Sequence, residues 1–213
     1  MKIRIPVARE GWPFIFSVLL LSIVCILMGY KIPAMLLGIA ALCIILFFRD
    51  PERKIVKDES LILSPADGRI LGICEIEGKD MGMTRLRQIS VFMSVLNCHI
   101  NRIPISGKVT RCEYHPGKFL PAFREKASEF NEQNTIHIKN DDMEIGIRQI
   151  AGLIARRIVC RARQGDLVNQ GKRFGLIRFG SCVDIILPSD VEILVHPGEK
   201  VKAGLSSIAR FRS

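Results

Sequence analysis

Aromatic residues and paired cysteines are scarce in this sequence, and each shortage argues against a class of function. Aromatic side chains make up 7% of the 213 residues, and no run interleaves them with Arg or Lys, as a platform for single-stranded nucleic acid requires. The seven cysteines are odd in number, and no two are spaced Cys-x-x-Cys. This pattern argues against a disulfide framework and against a zinc site. We therefore expect no metal ion.

Negative charge is almost missing from the N-terminus, where Glu10 is the one acid in the first 49 residues. The formal net charge of the whole chain is +10, and it is spread along the sequence rather than gathered in basic tails. Such a surface favours an anionic partner: a nucleic acid, an anionic lipid surface or a phosphorylated substrate. Since the aromatic pattern argues against nucleic acid, the other two are the expected partners.

Two uncharged apolar runs, Phe14–Met28 and Ile32–Phe48, fill most of the N-terminal segment. Each is slightly shorter than the roughly 20 residues that span a bilayer comfortably. The turn between them predicts a helical hairpin, either spanning or re-entrant, and Trp12 and Tyr30 are placed as interfacial anchors. A cleaved signal peptide fits poorly, because no small-x-small site ends the first run and a second apolar run follows.

Basic residues flank this predicted hairpin on both sides. Those before it are Lys2, Arg4 and Arg9, and those after it are Arg49, Arg53, Lys54 and Lys57, whereas the turn carries only Lys31. By the positive-inside tendency both ends lie in the cytoplasm. We therefore predict a membrane-associated hairpin over residues 1–49, in the cell membrane, and a domain over residues 50–213 that faces the cytoplasm.

The second part of the chain predicts a mainly β, barrel-sandwich-like domain. Short alternating segments are separated by Gly, Pro or Asp, and Asn140–Asp142 is a hairpin turn signal. Ala151–Arg161 could continue as strand or form a helix turn, and we favour strand. Gly165–Gly171 recurs as Gly198–Gly204 in the pattern Gly-acid-x-Val-x-x-Gly, which is typical of the quasi-symmetric β-sandwich of lipoyl and biotinyl carrier domains.

A carrier domain would need a modifiable lysine at a hairpin tip between the two halves of this repeat. That segment holds Gly180-Ser181 instead, in a stretch that predicts a tight turn followed by a strand ending at Pro188. Gly180 leaves its own carbonyl uncrowded, and Ser181 places a hydroxyl beside that carbonyl. The Ser181 hydroxyl could therefore attack the Gly180 carbonyl within the same chain. With 17 glycines in the sequence, a Gly-Ser pair occurs easily by chance, so it is informative only together with the motifs upstream.

Six stretches, in the same order along the chain, resemble the motifs of the phosphatidylserine decarboxylase proenzyme family in its short bacterial and archaeal form. They are Ser64–Gly68, Phe92–Pro104 with Gly107–Val109, Tyr114–Gly117, Ala127–Glu132, Gln164–Asp166 and Arg173–Ser181. Each motif alone is weak, whereas six in order are specific. The apolar N-terminus also suits the short form of the family.

This resemblance implies a decarboxylase that activates itself. The chain is expected to cut between Gly180 and Ser181 into a β chain, residues 1–180, and an α chain, residues 181–213, which stay associated. Ser181 becomes a covalent pyruvoyl group, which does the electron-sink work that pyridoxal phosphate does elsewhere. The implied reaction converts phosphatidylserine to phosphatidylethanolamine without an external cofactor, and a lipid substrate explains the hairpin.

The family motifs also imply candidate catalytic residues. His99, in Ser-x-x-x-x-His, is the first candidate for the base of self-cleavage and for the acid that protonates the product. Asp67, in the Pro-Ala-Asp-Gly turn, is expected to orient or charge-couple a histidine. Longer relatives carry a second His three residues after the first, but this chain has Arg102 there. Either His99 serves both steps, or self-cleavage relies on strain and backbone donors.

Further motif residues are predicted to bind the lipid substrate. Arg102 is suited to a phosphate or carboxylate, and the other candidates are Tyr114, Lys118, Asn131 and Glu132.

Two other functions account for part of the sequence. A membrane-anchored β-sandwich adaptor without enzymatic activity explains the hairpin and the repeat, but not the ordered motifs. A serine hydrolase using Ser181, His99 and Asp67 lacks the Gly-x-Ser-x-Gly pattern, because no second glycine follows Ser181.

Overall fold

The computed structural model describes residues 6–55, 58–77, 85–117, 131–152, 157–178 and 181–211. The chain divides into two compact units, Met1–Glu52 and Arg53–Ser213. The predicted site residues Gly180 and Lys118 lie outside the described residues, as do residues 127–130 of the Ala127–Glu132 motif.

The first unit is a pair of apolar helices, so the predicted helical hairpin is confirmed. A short 3-10 helix, Arg9–Gly11, leads into α1, Trp12–Leu27, and α2 spans Lys31–Phe47. The two helices are tied by a hydrogen bond in which the Ser22 hydroxyl donates to the Ala34 carbonyl at 2.9 Å. The segment Arg9–Leu27 is long and apolar enough to cross a membrane, whereas α2 is a shorter apolar helix.

The second unit consists of strands, which confirms the predicted mainly β fold. The strands are β1 Leu61–Leu63, β2 Gly68–Glu77, β3 Arg85–Met93, β4 Ile100–Arg102, β5 Gly107–His115, β6 Gln133–Lys139, β7 Glu144–Ala151, β8 Ile158–Cys160, β9 Leu167–Val168, β10 Arg173–Ile177, β11 Ser181–Pro188, β12 Glu192–Ile193, β13 Lys200–Val201 and β14 Ser207–Arg210.

A curled antiparallel sheet of eight strands organises this unit, in the order β13-β2-β3-β11-β7-β6-β5-β9. Two smaller sheets, β1-β14-β12 and β4-β10-β8, complete it. Strand β11 lies inside the large sheet, paired with β3 along its whole length and with β7 from Ser181 to Ile186. Every residue of β11 is buried, and Val183, Ile185 and Leu187 belong to the main apolar core.

The repeat noted in the sequence forms equivalent structures at the two edges of the large sheet. One copy contains β9 and the other contains β13. Their closing glycines, Gly171 and Gly204, have φ angles of 76° and 70°, which only glycine adopts readily. A Cβ placed on Gly204 would lie 3.6 Å from the Gly171 Cα, so the sheet curls until the loops at its two edges touch.

One strand prediction is wrong. We expected strand to continue through Ala151–Arg161, but β7 ends at Ala151 and the following strand, β8, belongs to a different sheet. The physical reason is the pairing of β8 with β10, in which Cys160 faces Gly175 and Ile158 faces Ile177. The chain therefore leaves the large sheet after Ala151 to cover the smaller one.

Candidate active site

Ser181 begins β11, in the middle of the large sheet. Its strand neighbours are Met93 on β3 and Ala151 on β7, and side chains alternate along β11. The Ser181 side chain therefore shares the core face with Val183, and it is fully buried at 0% exposure. The Ser181 hydroxyl donates a hydrogen bond to the Met93 thioether, with an Oγ–Sδ distance of 3.5 Å.

This position shields the Ser181 hydroxyl from water and from external molecules. Two surface cavities, of about 260 and 570 Å³, are formed by described residues, and neither has Ser181 or His99 in its wall. The acceptor for the hydroxyl is a thioether, which is a weak one. Ser181 is thus placed for a reaction within the chain rather than for attack on a soluble substrate.

Residues of two further motifs meet beside Ser181, around its neighbour Ala151. The Asn131 side-chain amide donates to the Ala151 carbonyl at 2.7 Å, and the Ala151 amide donates to the Glu132 carbonyl at 2.9 Å. A Cβ on Gly117 would overlap the backbone of Asn131, so this glycine lets the two motifs pack together. The structure therefore brings Asn131 and the Tyr114–Gly117 motif to the Ser181 end of β7.

Tyr114 is the exposed member of this group. Its hydroxyl donates to the Glu132 carboxylate at 3.1 Å. Desolvation, together with the negative charge of Glu132, raises the pKa of the Tyr114 phenol. Tyr114 therefore keeps its proton and presents a neutral ring at the surface.

His99 follows a tight turn that comes directly after Met93, the strand partner of Ser181. In this turn the Asn97 side-chain oxygen accepts hydrogen bonds from the Ser94 amide, at 2.9 Å, and from the Ser94 hydroxyl, at 2.7 Å. His99 is buried at 2% exposure and directly precedes β4. The Ser-x-x-x-x-His motif is thus a structural unit that holds His99 six positions beyond the strand partner of Ser181.

Asp67 has a cation, Arg53, as a partner. The Arg53 guanidinium donates to both Asp67 carboxylate oxygens, at 2.6 and 2.8 Å, and the Ala203 amide donates to one of them at 2.8 Å. Arg53 also donates to the Ala203 carbonyl at 2.6 Å. The arrangement joins the start of the unit to the loop after β13. Sequence spacing gave no signal for it, because Arg53 lies in an irregular segment before the first strand.

Arg102 is buried where the two edges of the sheet meet. One guanidinium nitrogen donates to the Gly171 carbonyl at 2.9 Å, and a Cβ on Gly204 would lie 3.0 Å from the Arg102 Cδ. With 3% exposure, Arg102 supports the junction between the repeat loops. We therefore leave it out of the substrate site.

Sequence reasoning missed three buried amide side chains behind Met93, which we call the amide cluster: Asn101, Asn134 and Gln149. Gln149 donates to the Asn101 side-chain oxygen at 2.8 Å, Asn134 donates to the Gln149 oxygen at 3.4 Å, and Asn101 donates to the Met93 sulfur at 3.8 Å. The available signal was a polar residue at a core position, since Gln149 follows Ile145 and Ile147 on the inward face of β7.

A second polar group lies on the opposite face of β11. The Cys182 thiol donates to the Asp184 carboxylate at 3.5 Å, and Asp184 pairs across the sheet with Ser90 and Arg148. Burial raises the pKa of Asp184 despite hydrogen bonding by Ser90 and the charge of Arg148. Burial also raises the pKa of the Cys182 thiol, so Cys182 is an inert buried side chain rather than a nucleophile.

Comparison with known proteins gives matches to one family. The family model described as phosphatidylserine decarboxylase matches residues 40–209. Proteins named phosphatidylserine decarboxylase proenzyme are similar over nearly the whole chain: 44% identity for that of Symbiobacterium thermophilum, covering 96% of this chain and 95% of the relative. The corresponding values are 47%, 96% and 97% for Syntrophus aciditrophicus, and 42%, 97% and 95% for Magnetococcus marinus.

Proposed function

The chain belongs to the phosphatidylserine decarboxylase family, and we propose that it converts phosphatidylserine to phosphatidylethanolamine after cutting itself between Gly180 and Ser181. The family match confirms the resemblance that the motifs predicted. The observation that carries the self-cleavage proposal is the position of Ser181, fully buried at the first residue of a central strand. A hydroxyl shut off from outside molecules is suited to attack the peptide bond next to it.

Self-cleavage follows from the chemistry of this bond. The Ser181 Oγ attacks the Gly180 carbonyl carbon, the peptide C–N bond breaks as an ester C–O bond forms, and the hydroxyl proton passes to the released amine. Loss of the Ser181 α-proton then breaks the Cβ–Oγ bond and releases Gly180 as a carboxylate. Addition of water and loss of ammonia convert residue 181 to a pyruvoyl group. A glycine at 180 removes the Cβ that would obstruct the attack.

The surroundings of residue 181 fit a pyruvoyl group. The group is small and begins a chain, and the strands on either side, through Met93 and Ala151, hold residue 181 by backbone pairing that does not require residue 180. When formed, the group supplies a carbonyl that accepts the electron pair released as CO₂ leaves. The protein residues bind and orient the substrate around it.

We propose His99 as the general base for self-cleavage and the general acid for the product. Its motif turn follows Met93 directly, and burial protects its proton transfers from bulk water. Arg53 binds Asp67, so in this proposal Asp67 has a structural role. Asn131 shapes the site through Ala151, Tyr114 provides an exposed surface beside it, and Lys118 remains a prediction for lipid binding.

The helical hairpin attaches the chain to the cell membrane, where a phospholipid substrate lies. In this proposal residues 1–49 are the membrane-associated part and residues 50–213 form the catalytic domain, which faces the cytoplasm as the flanking basic residues predict. After the cut, the β chain 1–180 and the α chain 181–213 remain together.

Intact mass spectrometry of the purified protein tests the proposal. We expect two chains that meet at the 180/181 bond, with the smaller one lacking a free amino terminus. Ser181→Ala should leave one uncut chain, whereas Ser90→Ala, which alters a serine on the neighbouring strand β3, should be cut normally. A single uncut wild-type chain with a free serine would exclude self-cleavage. The serine hydrolase and the membrane-anchored adaptor would then be the remaining functions.

The same time course tests His99. His99→Ala should slow the cut or the later decarboxylation by at least about a hundredfold, the usual contribution of a general acid or base. If both steps proceed at the wild-type rate, His99 has no part in the mechanism.

A further inference from the structure

We propose that Met93 is a dual-purpose partner of residue 181: its thioether holds the Ser181 hydroxyl before the cut and packs against the methyl group that replaces it afterwards. This inference rests on the proposed self-cleavage. Asn101 and Gln149 act as positioning residues, because they fix the Met93 side chain.

The contact is built into the sheet. Met93 is the last residue of β3, it pairs with Ser181 across the ladder, and both side chains are fully buried at 0% exposure. The Met93 sulfur accepts from the Ser181 hydroxyl at 3.5 Å and from the Asn101 amide at 3.8 Å. Because directly opposite residues place their side chains on the same face, the contact follows from the register of two central strands.

A thioether suits the uncut chain because it accepts hydrogen bonds weakly and has no basicity at ordinary pH. It gives the Ser181 hydroxyl a direction in an apolar core, where a hydroxyl without an acceptor is costly. A carboxylate or amide oxygen would bind the hydroxyl more strongly, and that bond would have to break before the oxygen moves to the neighbouring carbonyl. Met93 therefore orients the nucleophile without restraining it.

The same side chain suits the product of the cut. When the Cβ–Oγ bond breaks, the oxygen leaves with the carboxylate of Gly180, and the Cβ of residue 181 becomes the methyl carbon of the pyruvoyl group. The atom facing Met93 thus changes from a hydrogen-bond donor to an apolar group. A strong acceptor at position 93 would then lose the Ser181 donor and keep only the Asn101 amide, which is unfavourable, whereas a methionine sulfur packs well against a methyl group.

Methionine is flexible, with three rotatable side-chain bonds, so its sulfur needs support to stay in place. Gln149 occupies the Asn101 side-chain oxygen at 2.8 Å, which fixes the Asn101 amide with its NH₂ group toward the Met93 sulfur. Asn134 in turn donates to the Gln149 oxygen. This buried chain of donors accounts for three amides at core positions: Asn101 on β4, and Asn134 and Gln149 on two strands of the large sheet.

Met93→Leu is the direct test, because it conserves volume and removes only the acceptor. We expect the full-length chain to appear as uncut precursor and to be cut about three- to tenfold more slowly than wild type, a range that corresponds to loss of one weak hydrogen bond. The measurement is intact mass against time after cell-free synthesis. Met143→Leu is the matched control, since Met143 is a second buried methionine of the same core, and it should be cut at the wild-type rate.

A reciprocal variant separates this role from a purely structural one. Met93→Gln keeps an acceptor for the hydroxyl, so the chain should still be cut, but more slowly than wild type because the amide oxygen restrains the hydroxyl. The cut Met93→Gln protein should then melt further below its uncut Ser181→Ala counterpart than the cut wild type melts below its own. In the Ser181→Ala background, Met93→Leu and Met143→Leu should melt within about 2 °C of each other, because each is a volume-conserving swap.

Three results would overturn the inference, and they are distinguishable. A wild-type chain that is never cut refutes the proposed self-cleavage and this inference with it. A wild-type chain that is cut, with Met93→Leu cut equally fast, refutes the role of Met93 alone. The third result is a slower cut of Met93→Leu together with a lower melting temperature of Met93→Leu in the Ser181→Ala background. If Met143→Leu shows neither effect, Met93 has only a structural role.

Discussion

Asp184 is a carboxyl group placed in the interior of the protein, three residues after Ser181 on the other face of β11. Its exposure is 1%, and Ser90 and Arg148 face it across the sheet. Burial raises its pKa, although hydrogen bonding by Ser90 and the charge of Arg148 act in the opposite direction. Desolvation therefore outweighs the attraction of the neighbouring guanidinium.

This balance predicts a pH-dependent effect of Asp184→Asn. The folded chain keeps the Asp184 proton to a higher pH than the unfolded chain, whose carboxyl has a pKa of about 3.9. Stability is therefore lost as pH rises from that value through the raised folded pKa. The variant removes this loss, so it should melt at the same temperature as its parent near pH 4 and a few degrees higher at pH 8.

The melting experiment uses the Ser181→Ala background, in which the protein remains a single chain. Asp190→Asn is the matched control, because Asp190 is exposed and should give the same small difference at both pH values. If Asp184→Asn melts lower than its parent at pH 8, the attraction of Arg148 outweighs desolvation.

Single residues also mark where sequence reasoning reached its limit. The motifs identified Ser181 and His99 because their order along the chain is itself the signal. The partner of Asp67 could not be predicted, since Arg53 lies 14 positions away in the chain and their meeting depends on the loop after β13. The support of Met93 was equally hidden, because Asn101 and Gln149 become neighbours only when two sheets pack together.

At the scale of elements, β11 is the strand that would hold the two chains together after the proposed cut. It begins at residue 181 and pairs on one side with β3 and on the other with β7. The later strands β13 and β14 pair with β2 and β1. Each of these partners precedes residue 180, so the proposed α chain would pair with strands of the β chain in all of these sheets.

We therefore expect the two cut chains to elute together in size-exclusion chromatography without denaturant, and to separate only in denaturant. Ile185→Ala should lower the denaturant concentration needed, because Ile185 is fully buried in β11 and such truncations cost about 2–5 kcal/mol. Ile193→Ala is the matched control on β12, where the side chain is half-buried, and its effect should be smaller. Chains that separate without denaturant would contradict this arrangement.

Strand existence was predictable where turn signals bound an alternating pattern, as in β5 and β7. The exception is β8, which sequence reasoning joined to the end of β7. Its three residues are all half-buried, so no alternation distinguishes it, and its partner β10 is set by tertiary packing. The Gly-acid-x-Val-x-x-Gly repeat predicted a quasi-symmetric β-sandwich, and its two copies form the edges of the curled sheet.

At the scale of the whole molecule, the two compact units differ in what they expose. Large apolar side chains of α1 and α2 are exposed, among them Leu20 at 64% and Leu36 at 58%. The second unit buries its apolar side chains in a core of its own. An apolar helix surface of this extent is stable in lipid rather than in water.

Adding charge to both helices should therefore release the protein from membranes. In a flotation assay with phospholipid vesicles we expect the wild-type chain to float and the double variant Leu20→Lys/Leu36→Lys to stay in the soluble fraction, because each lysine costs about 2.5–3.5 kcal/mol at the centre of a membrane helix. The matched control, Leu167→Lys/Leu205→Lys, adds the same charge at exposed leucines of the second unit and should float. Self-cleavage should persist in both variants, since Ser181 lies in a unit with its own core; a hairpin variant that still floats after an alkaline wash would contradict attachment through these helices.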